Sequence, residues 1–596
     1  MRLRSAAAVA AVLTLGIAAA CGGGTTPSDR NEGSQSTATA KPAGGEFDVI
    51  LNDKATGPAP EVEGAQQGGT VTVLTAAAPE TFDPTRSYYI DTLSVGRLIH
   101  RTLTALYLNK DGKYELVPDL ATDLGKANAD FTEFTFKIKP SQKFEDGTPI
   151  TSKDFAYAIK RSFATEELAG GPTYQQIYFL DGDKYKGPFK PAAQGGGEDY
   201  AGVETPDDET LIVKMAKPFP DLPYYLTFPL YSPIPQAKET KENYGNKPVS
   251  TGPYKVKSYQ KGKSLILDKN PNWDANSDPA RHQYADQFDF KFSQEPLKLQ
   301  EQLIADNGID KTSITYDNVD SSLLPKIQGK PDVEPRLITG PGTCTTYVYL
   351  DTTKITNVDV RKAIGVAYPY DNIHKAAGDS PLTFQPGTTT YSPVVPGWQN
   401  FDVTGTAAKG NGDPERAKAM LEKAGQLGFE LVWPYSQDNP IAVNTSLARQ
   451  KGLEAAGFKV KPIPMPREQV RAALDDPKAA INMRPSGWCP DWPSAATIFP
   501  AIFDGRLIAL NPTSLPNKSL LNEKEVNDEI DRISALPIAE APAEWAKLDK
   551  LMMEKYYPVV AVDYAKNAFL TGSGIGGVVN DAYAGGPDFS KLFVKK

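Results

Sequence analysis

The stretch Gly487-Trp488-Cys489-Pro490-Asp491-Trp492-Pro493 places a cysteine, two tryptophans and one carboxylate in a short run near the end of a long chain. Asp491 lies among apolar side chains and prolines, where an unpaired charge is costly to bury. No Lys or Arg stands within five residues of it. Its cationic partner therefore comes either from a distant segment or with a ligand, and we favour a ligand.

The start of the chain has the pattern of an exported lipoprotein. Arg2 and Arg4 precede a short apolar run that ends in small residues, Cys21 and three glycines. This is typical of a secretory signal peptide over residues 1–20, and the run is too short for a comfortable transmembrane helix. A Cys directly after small residues resembles the bacterial lipobox, so we expect Cys21 to be lipidated. The alternative is an ordinary signal peptide in which Cys21 is incidental.

The other two cysteines are Cys344 and Cys489. Two cysteines in an exported chain most simply form a disulfide. Two free buried thiols are the alternative.

Composition excludes several classes of function. The chain has 596 residues, 23% of them charged and 40% hydrophobic, which predicts a soluble protein of two or three lobes. The net charge of −9 is spread without a basic patch, so neither nucleic acid nor an anionic lipid surface is an expected partner. His100, His282 and His374 match no metal-ligand spacing, and no phosphate-binding-loop, metalloprotease or serine-hydrolase motif is present. Residues 572–577 match G-x-G-x-x-G, but they lie close to the C-terminus with no βαβ unit after them, so we interpret them as a turn. We therefore expect no metal, no cofactor and no catalytic residue.

Local patterns predict a tether followed by a mixed α/β body. Residues 21–67 are rich in Gly, Ser, Thr, Ala and Pro and are predicted to be a disordered linker, with an apolar island at 47–51 of unassigned role. From residue 69 onward, strands are interspersed with helices in an irregular order, which indicates α/β or α+β lobes. Strict alternation over 131–139 predicts a half-buried strand, and Thr151 with Ser152 predicts the start of a helix.

Five separate segments resemble one family, the extracytoplasmic solute-binding proteins of ABC transporters in the peptide-binding class. They are 134–149, 151–161, Thr251-Gly252-Pro253-Tyr254, Asn270-Pro271-Asn272-Trp273 and Asp359-Val360-Arg361-Lys362-Ala363. The resemblance implies a mixed α/β (α+β) fold with two lobes around a hinge and one extra domain. Its expected parts are lobe I (68–105, 236–340 and 546–596), the extra domain II (106–235) and lobe III (341–545).

Two further segments, 344–349 and 487–491, resemble the oligopeptide-binding members in particular. The resemblance implies a Cys344–Cys489 disulfide and binding of a peptide α-ammonium by Asp491. It also implies that the backbone of Gly487, Trp488 and Cys489 pairs with the ligand as an added strand. By position alone, Tyr88-Tyr89-Ile90-Asp91 matches a second strand beside the ligand. The alternative for Asp491 is a turn cap before Trp492.

Three more side chains are candidate ligand contacts. Trp488 and Trp492 are predicted to form pocket walls, with burial in the core as the alternative. Arg484 carries a planar fork suited to the C-terminal carboxylate of a peptide, although most Arg residues are simply solvated.

The expected function is that of a monomeric, lipid-anchored receptor on the outer face of the cell membrane, without enzymatic activity. It would capture a peptide between two lobes that close on it and present it to the permease of an ABC importer. One alternative is the same receptor with another cargo: an oligosaccharide, an opine or a metal chelate. Another is a secreted hydrolase in which Asp491 pairs with Asp91 or Glu145.

Overall fold

Three β-sheets, each with its own hydrophobic core, organise the structure. The computed structural model describes residues 47–406, 410–508 and 515–596. The predicted signal peptide and Cys21 lie outside the described residues. The mixed α/β class expected from the sequence is confirmed.

The strands of the described ranges follow one another along the chain. They are β1 (Val49–Leu51), β2 (Thr70–Leu74), β3 (Thr104–Leu108), β4 (Tyr114–Pro118), β5 (Lys126–Ala127), β6 (Glu133–Lys137), β7 (Val203–Asp207), β8 (Thr210–Lys214), β9 (Tyr254–Gln260), β10 (Ser264–Lys269), β11 (Gln287–Lys291), β12 (Ser313–Ile314), β13 (Leu337–Leu350), β14 (Phe384–Pro386), β15 (Glu430–Ser436), β16 (Lys459–Met465), β17 (Met483–Trp488), β18 (Val559–Leu570), β19 (Ile575–Gly576), β20 (Asn580–Asp581), β21 (Gly586–Pro587) and β22 (Phe593–Val594).

The α-helices follow the same order. They are α1 (Ile90–Ile99), α2 (Ser152–Ser162), α3 (Tyr174–Tyr178), α4 (Leu222–Tyr225), α5 (Pro296–Ala305), α6 (Leu324–Ile327), α7 (Val358–Ala367), α8 (Tyr370–Ala377), α9 (Pro414–Lys423), α10 (Pro440–Ala455), α11 (Arg467–Asp475), α12 (Phe499–Ile502), α13 (Lys524–Ser534) and α14 (Ala541–Leu551). None of the helices in the described ranges is both long and apolar enough to cross a membrane.

The five-stranded sheet has the order β12-β2-β11-β10-β9. Strand β2 runs parallel to β11 and β12, whereas β10 is antiparallel to β9 and β11. Val71 and Val73 of β2 and Phe288 and Phe290 of β11 are fully buried in its core. Alternating apolar residues in these strands therefore face one core.

The second sheet has the order β5-β6-β8-β7. Phe134 and Phe136 of β6 are buried while their neighbours are not, which confirms the half-buried strand predicted from the alternation. Helix α2 packs on this sheet and begins with a capping box, in which Thr151 and Asp154 satisfy each other's backbone N–H groups.

The third sheet has the order β14-β18-β13-β17. Its long central strands, β13 and β18, are antiparallel, and β17 is antiparallel to β13 with Thr345 opposite Trp488 and Leu350 opposite Met483. Within the described chain β17 is an edge strand of this sheet. An edge strand keeps one row of N–H and C=O groups without a strand partner.

The linker predicted over 21–67 does not extend through residues 47–67. Val49–Leu51 pairs in parallel with β4, and the Leu124 N–H donates to Asp53 at 2.7 Å. The Phe47 ring packs on that of Tyr114, and Ala59 is buried. Burying the apolar island explains why this part of a Gly- and Pro-rich segment is ordered against the body.

Candidate functional site

A cavity of about 900 Å³ opens beside strand β17. Its walls come from two parts of the chain: Tyr88 with residues 171–178 on one side, and residues between 349 and 518 on the other. Along the edge of β17, the cavity is lined by Ser486, Gly487 and Trp488. A volume of this size is typical of a site for a small molecule or a short peptide.

Strand β17 presents unpaired backbone groups to this cavity. Backbone bonds in an antiparallel pair alternate between the two sides of a strand. Pro485 lies opposite Val348 and has no N–H, so the doubly bonded pairs with β13 are those of Arg484, Ser486 and Trp488. The N–H and C=O of Gly487 therefore point to the open edge. Glycine suits this position, because an added Cβ would lie 3.0 Å from the Thr345 carbonyl oxygen.

A disulfide holds this end of β17 to its neighbour. Cys489 follows β17 directly and is bonded to Cys344 in β13. The pairing expected from the family resemblance is therefore present in the structure. It fixes the open edge next to Thr345 and Gly487.

Asp491 receives two hydrogen bonds from distant tyrosines. The hydroxyls of Tyr88 (3.0 Å) and Tyr174 both donate to its Oδ2. Its Oδ1 accepts no hydrogen bond from the described residues, and no Lys, Arg or His of those residues forms an ion pair with it. Burial raises the pKa of Asp491 to about 6, against the lowering effect of the two phenols. The carboxylate thus has neutral protein partners and a free oxygen.

Both phenols remain donors at any ordinary pH. Burial and the nearby Asp491 charge raise the pKa of Tyr88 and of Tyr174 far above the usual value for tyrosine. Both tyrosines line the large cavity, whereas Asp491 borders a separate small cavity of about 70 Å³. The phenols therefore stand between Oδ2 and the large cavity. Tyr174 was not among the residues predicted, since nothing in its local sequence marks it.

The scan of family models matches residues 115–507 to the bacterial extracellular solute-binding proteins, family 5. The chain belongs to this family. It is 25% identical over 490 residues to the periplasmic oligopeptide-binding protein OppA of Salmonella typhimurium, covering 78% of this chain and 82% of the relative. It is 24% identical over 472 residues to the probable D,D-dipeptide-binding periplasmic protein DdpA of Escherichia coli, covering 77% and 80%.

Among solved structures, the clavulanic acid biosynthesis oligopeptide binding protein 2 superposes with a TM-score of 0.81 at 24% identity. The match covers 91% of this chain and 99% of that one. At this identity the likeness shows the fold alone. Together with the family match, it confirms the two-lobed solute-binding fold predicted from the sequence.

Trp492 is not a wall of the large cavity in this solute-binding protein. It is only 2% exposed and packs into the core of the β5–β8 sheet, with its ring centroid 5.0 Å from that of Tyr174 and 5.6 Å from that of Tyr225. Its Nε1 donates to Asp221 at 2.7 Å. The prediction of a ligand contact is wrong for Trp492, because its apolar ring and its N–H both find partners in that core. Trp488, in contrast, lines the large cavity.

Arg484 is likewise not available to a ligand carboxylate. Its side chain is fully buried, and Nη1 donates to Asp351 at 2.9 Å while Nη2 donates to the Asp476 carbonyl. It lies in β17 opposite Tyr349, on the same face of the sheet as Trp488, but its guanidinium is covered by its buried partners. The predicted role is wrong, because the guanidinium already has a buried carboxylate as its partner.

The cations of the large cavity come from other segments. Arg467 and Arg471 are on helix α11, and Lys217 and Lys518 also line the cavity. The acidic groups that line the cavity are Asp475, which pairs with Lys518, and Asp504, which pairs with Arg506 at 2.7 Å. Four cations against two carboxylates give the cavity a surplus of positive charge.

Residues 88–91 do not form a strand. Tyr88 and Tyr89 are in a loop, and Ile90 and Asp91 begin helix α1. Tyr89 is 72% exposed, and the Asp91 carboxylate accepts a hydrogen bond from the Thr92 N–H at 2.8 Å in the first turn of that helix. The predicted second ligand-flanking strand is therefore wrong, and Tyr88 lines the large cavity from this segment.

The carboxylate pairs suggested for a hydrolase are not formed either. Neither Asp91 nor Glu145 forms a hydrogen bond with Asp491. The pKa of each is raised by burial, without a contribution from Asp491.

Proposed function

We propose that this chain is a receptor of an ABC importer that captures peptides in the large cavity and presents them to a membrane permease. One observation carries the proposal: the open edge of β17 at Ser486–Trp488 lies against the cavity, close in sequence to a half-buried carboxylate, Asp491, without a cationic partner among the described residues. The named relatives are described as oligopeptide- and dipeptide-binding proteins, which supports the same cargo.

The backbone of the peptide would add a strand to β17. Main-chain hydrogen bonds to Gly487 recognise any peptide independently of its side chains, which is the usual basis of β-augmentation. The Cys344–Cys489 disulfide supports this by holding the edge in place before the ligand arrives. A preorganised edge loses less conformational entropy on binding.

The α-ammonium of the peptide would bind Asp491. It would enter beside Tyr88 and Tyr174 and donate to Oδ1, which leaves both phenol hydrogen bonds in place. A charge-assisted hydrogen bond of this kind is stronger than a neutral one, and the ammonium balances the negative charge of the carboxylate. Binding would therefore also stabilise the ionised form of Asp491.

The peptide's carboxylate end would meet the cations of the cavity. Arg467 and Arg471 stand one turn apart on α11, so both face the cavity together with Val470 and Leu474. Lys217 and Lys518 add charge from the other walls. These groups replace Arg484 in the role that the sequence suggested for it.

Capture would involve closure of lobes around a hinge in the long strands β13 and β18. We retain the division into lobe I, domain II and lobe III as a proposal, with residues 47–67 joined to the body rather than to the tether. The contact of Trp492 with Asp221 and Tyr174 supports a closed arrangement, because it joins the segment after β17 to the β5–β8 core. The ligand shifts the population toward closure only to the extent that it binds the closed state better.

The receptor would be a monomer anchored by a lipid on Cys21. The family is described as extracellular, which supports a place outside the cytoplasm. Replacing Cys21 by Ser should release the protein from the membrane fraction, and retention of the variant there would contradict the anchor. We expect no turnover of a labelled peptide, because capture and release of a peptide involve no covalent step.

Calorimetry with trialanine tests the function. We expect binding of trialanine, and weaker binding of N-acetyl-trialanine by about 30-fold or more, since the acetylated amine carries no charge. Absence of binding for both peptides would contradict the proposal. Equal affinity for both would leave peptide capture standing but refute the role of Asp491.

A further inference from the structure

A second cavity, of about 380 Å³, meets the large one at Ser486. The two cavities lie against opposite faces of the sheet next to β17. Trp488 and Tyr349 line the large cavity and belong to one face of the sheet. Trp488 is the cross-strand partner of Thr345, and Tyr349 follows Thr345 in β13 by an even number of residues, so their side chains point the same way. Thr346 and its cross-strand partner Asp563 line the second cavity and belong to the other face.

The two faces matter for any strand added to the edge of β17. Successive side chains of such a strand point to opposite faces of the sheet. If one side chain of the ligand enters the large cavity, the next points toward the second. The second cavity would therefore receive every other side chain of a bound peptide near Ser486.

The polar wall of the second cavity is formed by His374 and two carboxylates, Asp379 and Asp563. The Nδ1 of His374 lies 2.9 Å from Asp379 Oδ2, and because a carboxylate accepts, Nδ1 carries the proton. The ring stacks on Phe384 with centroids 3.5 Å apart, and its side chain is 7% exposed. Nε2 is buried without a hydrogen-bond partner and lies 3.8 Å from Asp563 Oδ2.

Two acceptors thus lie close together at the cavity and are too far apart to share one hydrogen bond. In neutral His374, Nε2 carries a lone pair, and the Asp563 carboxylate has only lone pairs to offer. Thr346 satisfies the other oxygen of Asp563 at 3.1 Å. A group with two or more N–H donors placed here would donate to both acceptors.

We propose that the second cavity is a specificity site for a cationic side chain of the ligand, lysine or arginine, bound between His374 Nε2 and Asp563 Oδ2. This inference rests on the proposed peptide-binding function and adds a side-chain preference to it. An ammonium or guanidinium supplies several donors and a charge that two carboxylates, Asp379 and Asp563, can balance.

The remaining charged group at this cavity is Arg449. Its Nε donates to the Tyr368 hydroxyl at 3.1 Å, and its guanidinium stacks against the rings of Tyr368 and Trp433. The carboxylates of Asp379 and Asp563 outnumber the one permanently charged cation, Arg449, so the site has a net negative charge. In the described part of the chain no three His, Cys, Asp or Glu side chains are arranged to hold a metal ion, so a cationic side chain suits this cluster better than a bare cation.

Matched peptides test this site. A tetra-alanine series would carry lysine, or its uncharged analogue norleucine, at each position in turn, and a second series would carry arginine or citrulline. Calorimetry should show at least one position at which lysine binds about tenfold or more tightly than norleucine, and arginine more tightly than citrulline. In Asp563→Asn, which keeps an acceptor for Thr346, both preferences should fall below about threefold while tetra-alanine affinity stays within about twofold.

Asp111→Asn, in an exposed turn, is the matched control and should keep the full preference. His374→Gln provides a second variant if Asp563→Asn does not fold, as judged by circular dichroism. Binding of tetra-alanine without a charge preference at any position would overturn this inference and leave the proposed function intact. A preference that survives in both variants would place the cationic subsite elsewhere, and failure to bind tetra-alanine would remove the proposed function together with the subsite.

Discussion

Replacing Asp491 by Asn should weaken peptide binding and stabilise the empty protein. Asn keeps a carbonyl oxygen for the hydroxyls of Tyr88 and Tyr174 but cannot balance a ligand ammonium. Loss of one partner from a buried, hydrogen-bonded charge pair costs about 2–5 kcal/mol, or roughly 30- to 5,000-fold in Kd. We expect this loss for trialanine and almost none for its N-acetyl form.

The effect on stability has the opposite sign. Burial raises the pKa of Asp491 from 3.8 to about 6, so the folded protein holds this proton more tightly than the unfolded chain. At pH 7 the group is charged in both states, and its ionisation destabilises the empty fold. Because each pKa unit corresponds to 1.36 kcal/mol, Asp491→Asn should raise the free energy of unfolding by on the order of 1–3 kcal/mol. The gain should shrink as the pH falls through 6 toward 4, where wild type is protonated as well.

The assay combines calorimetry with urea unfolding at pH 7 and pH 4.5. Opposite changes in affinity and stability distinguish a ligand-binding carboxylate from a structural turn cap, which would lose stability and leave affinity unchanged. Trialanine affinity within about twofold of wild type would refute the reasoning. An equal loss for the acetylated peptide would also refute it, because that loss would not involve the ammonium.

The same contacts predict three other outcomes. Because the pKa of Asp491 is raised to about 6, trialanine affinity measured across pH should fall below pH 6 by up to about tenfold per unit and should not rise there. Trp492→Phe should lower the free energy of unfolding by about 1–3 kcal/mol because Asp221 loses a buried donor, whereas a pocket wall would alter affinity instead. Arg484→Met leaves Asp351 without its buried guanidinium and should cost about 3–5 kcal/mol in urea unfolding at unchanged trialanine affinity.

Much of the fold could be predicted from local sequence. Regular alternation over 131–139 identified β6, and Thr151 with Ser152 supplied a local signal for the start of α2. The family segments identified the two-lobed class. Long buried strands were harder: β18 is apolar on both faces over much of its length, so it shows no clear period of two, and it was not predicted.

The site was predictable where the chemistry is local and not where it depends on folding. Asp491 was notable because its neighbours in sequence cannot pair with it. Its actual partners, Tyr88 and Tyr174, are 403 and 317 residues away. Arg484 and Trp492 were misassigned because their actual partners, Asp351 for the guanidinium and a distant aromatic core for the tryptophan, are not visible in the stretch itself.

The central claim is that a peptide binds as an added strand on β17. A crystal structure with trialanine tests it most directly. The account predicts main-chain hydrogen bonds between the peptide and Gly487, with the α-ammonium within about 3 Å of Asp491 Oδ1. A peptide bound in the large cavity without backbone pairing to residues 486–488, or with its ammonium away from Asp491, would contradict the account.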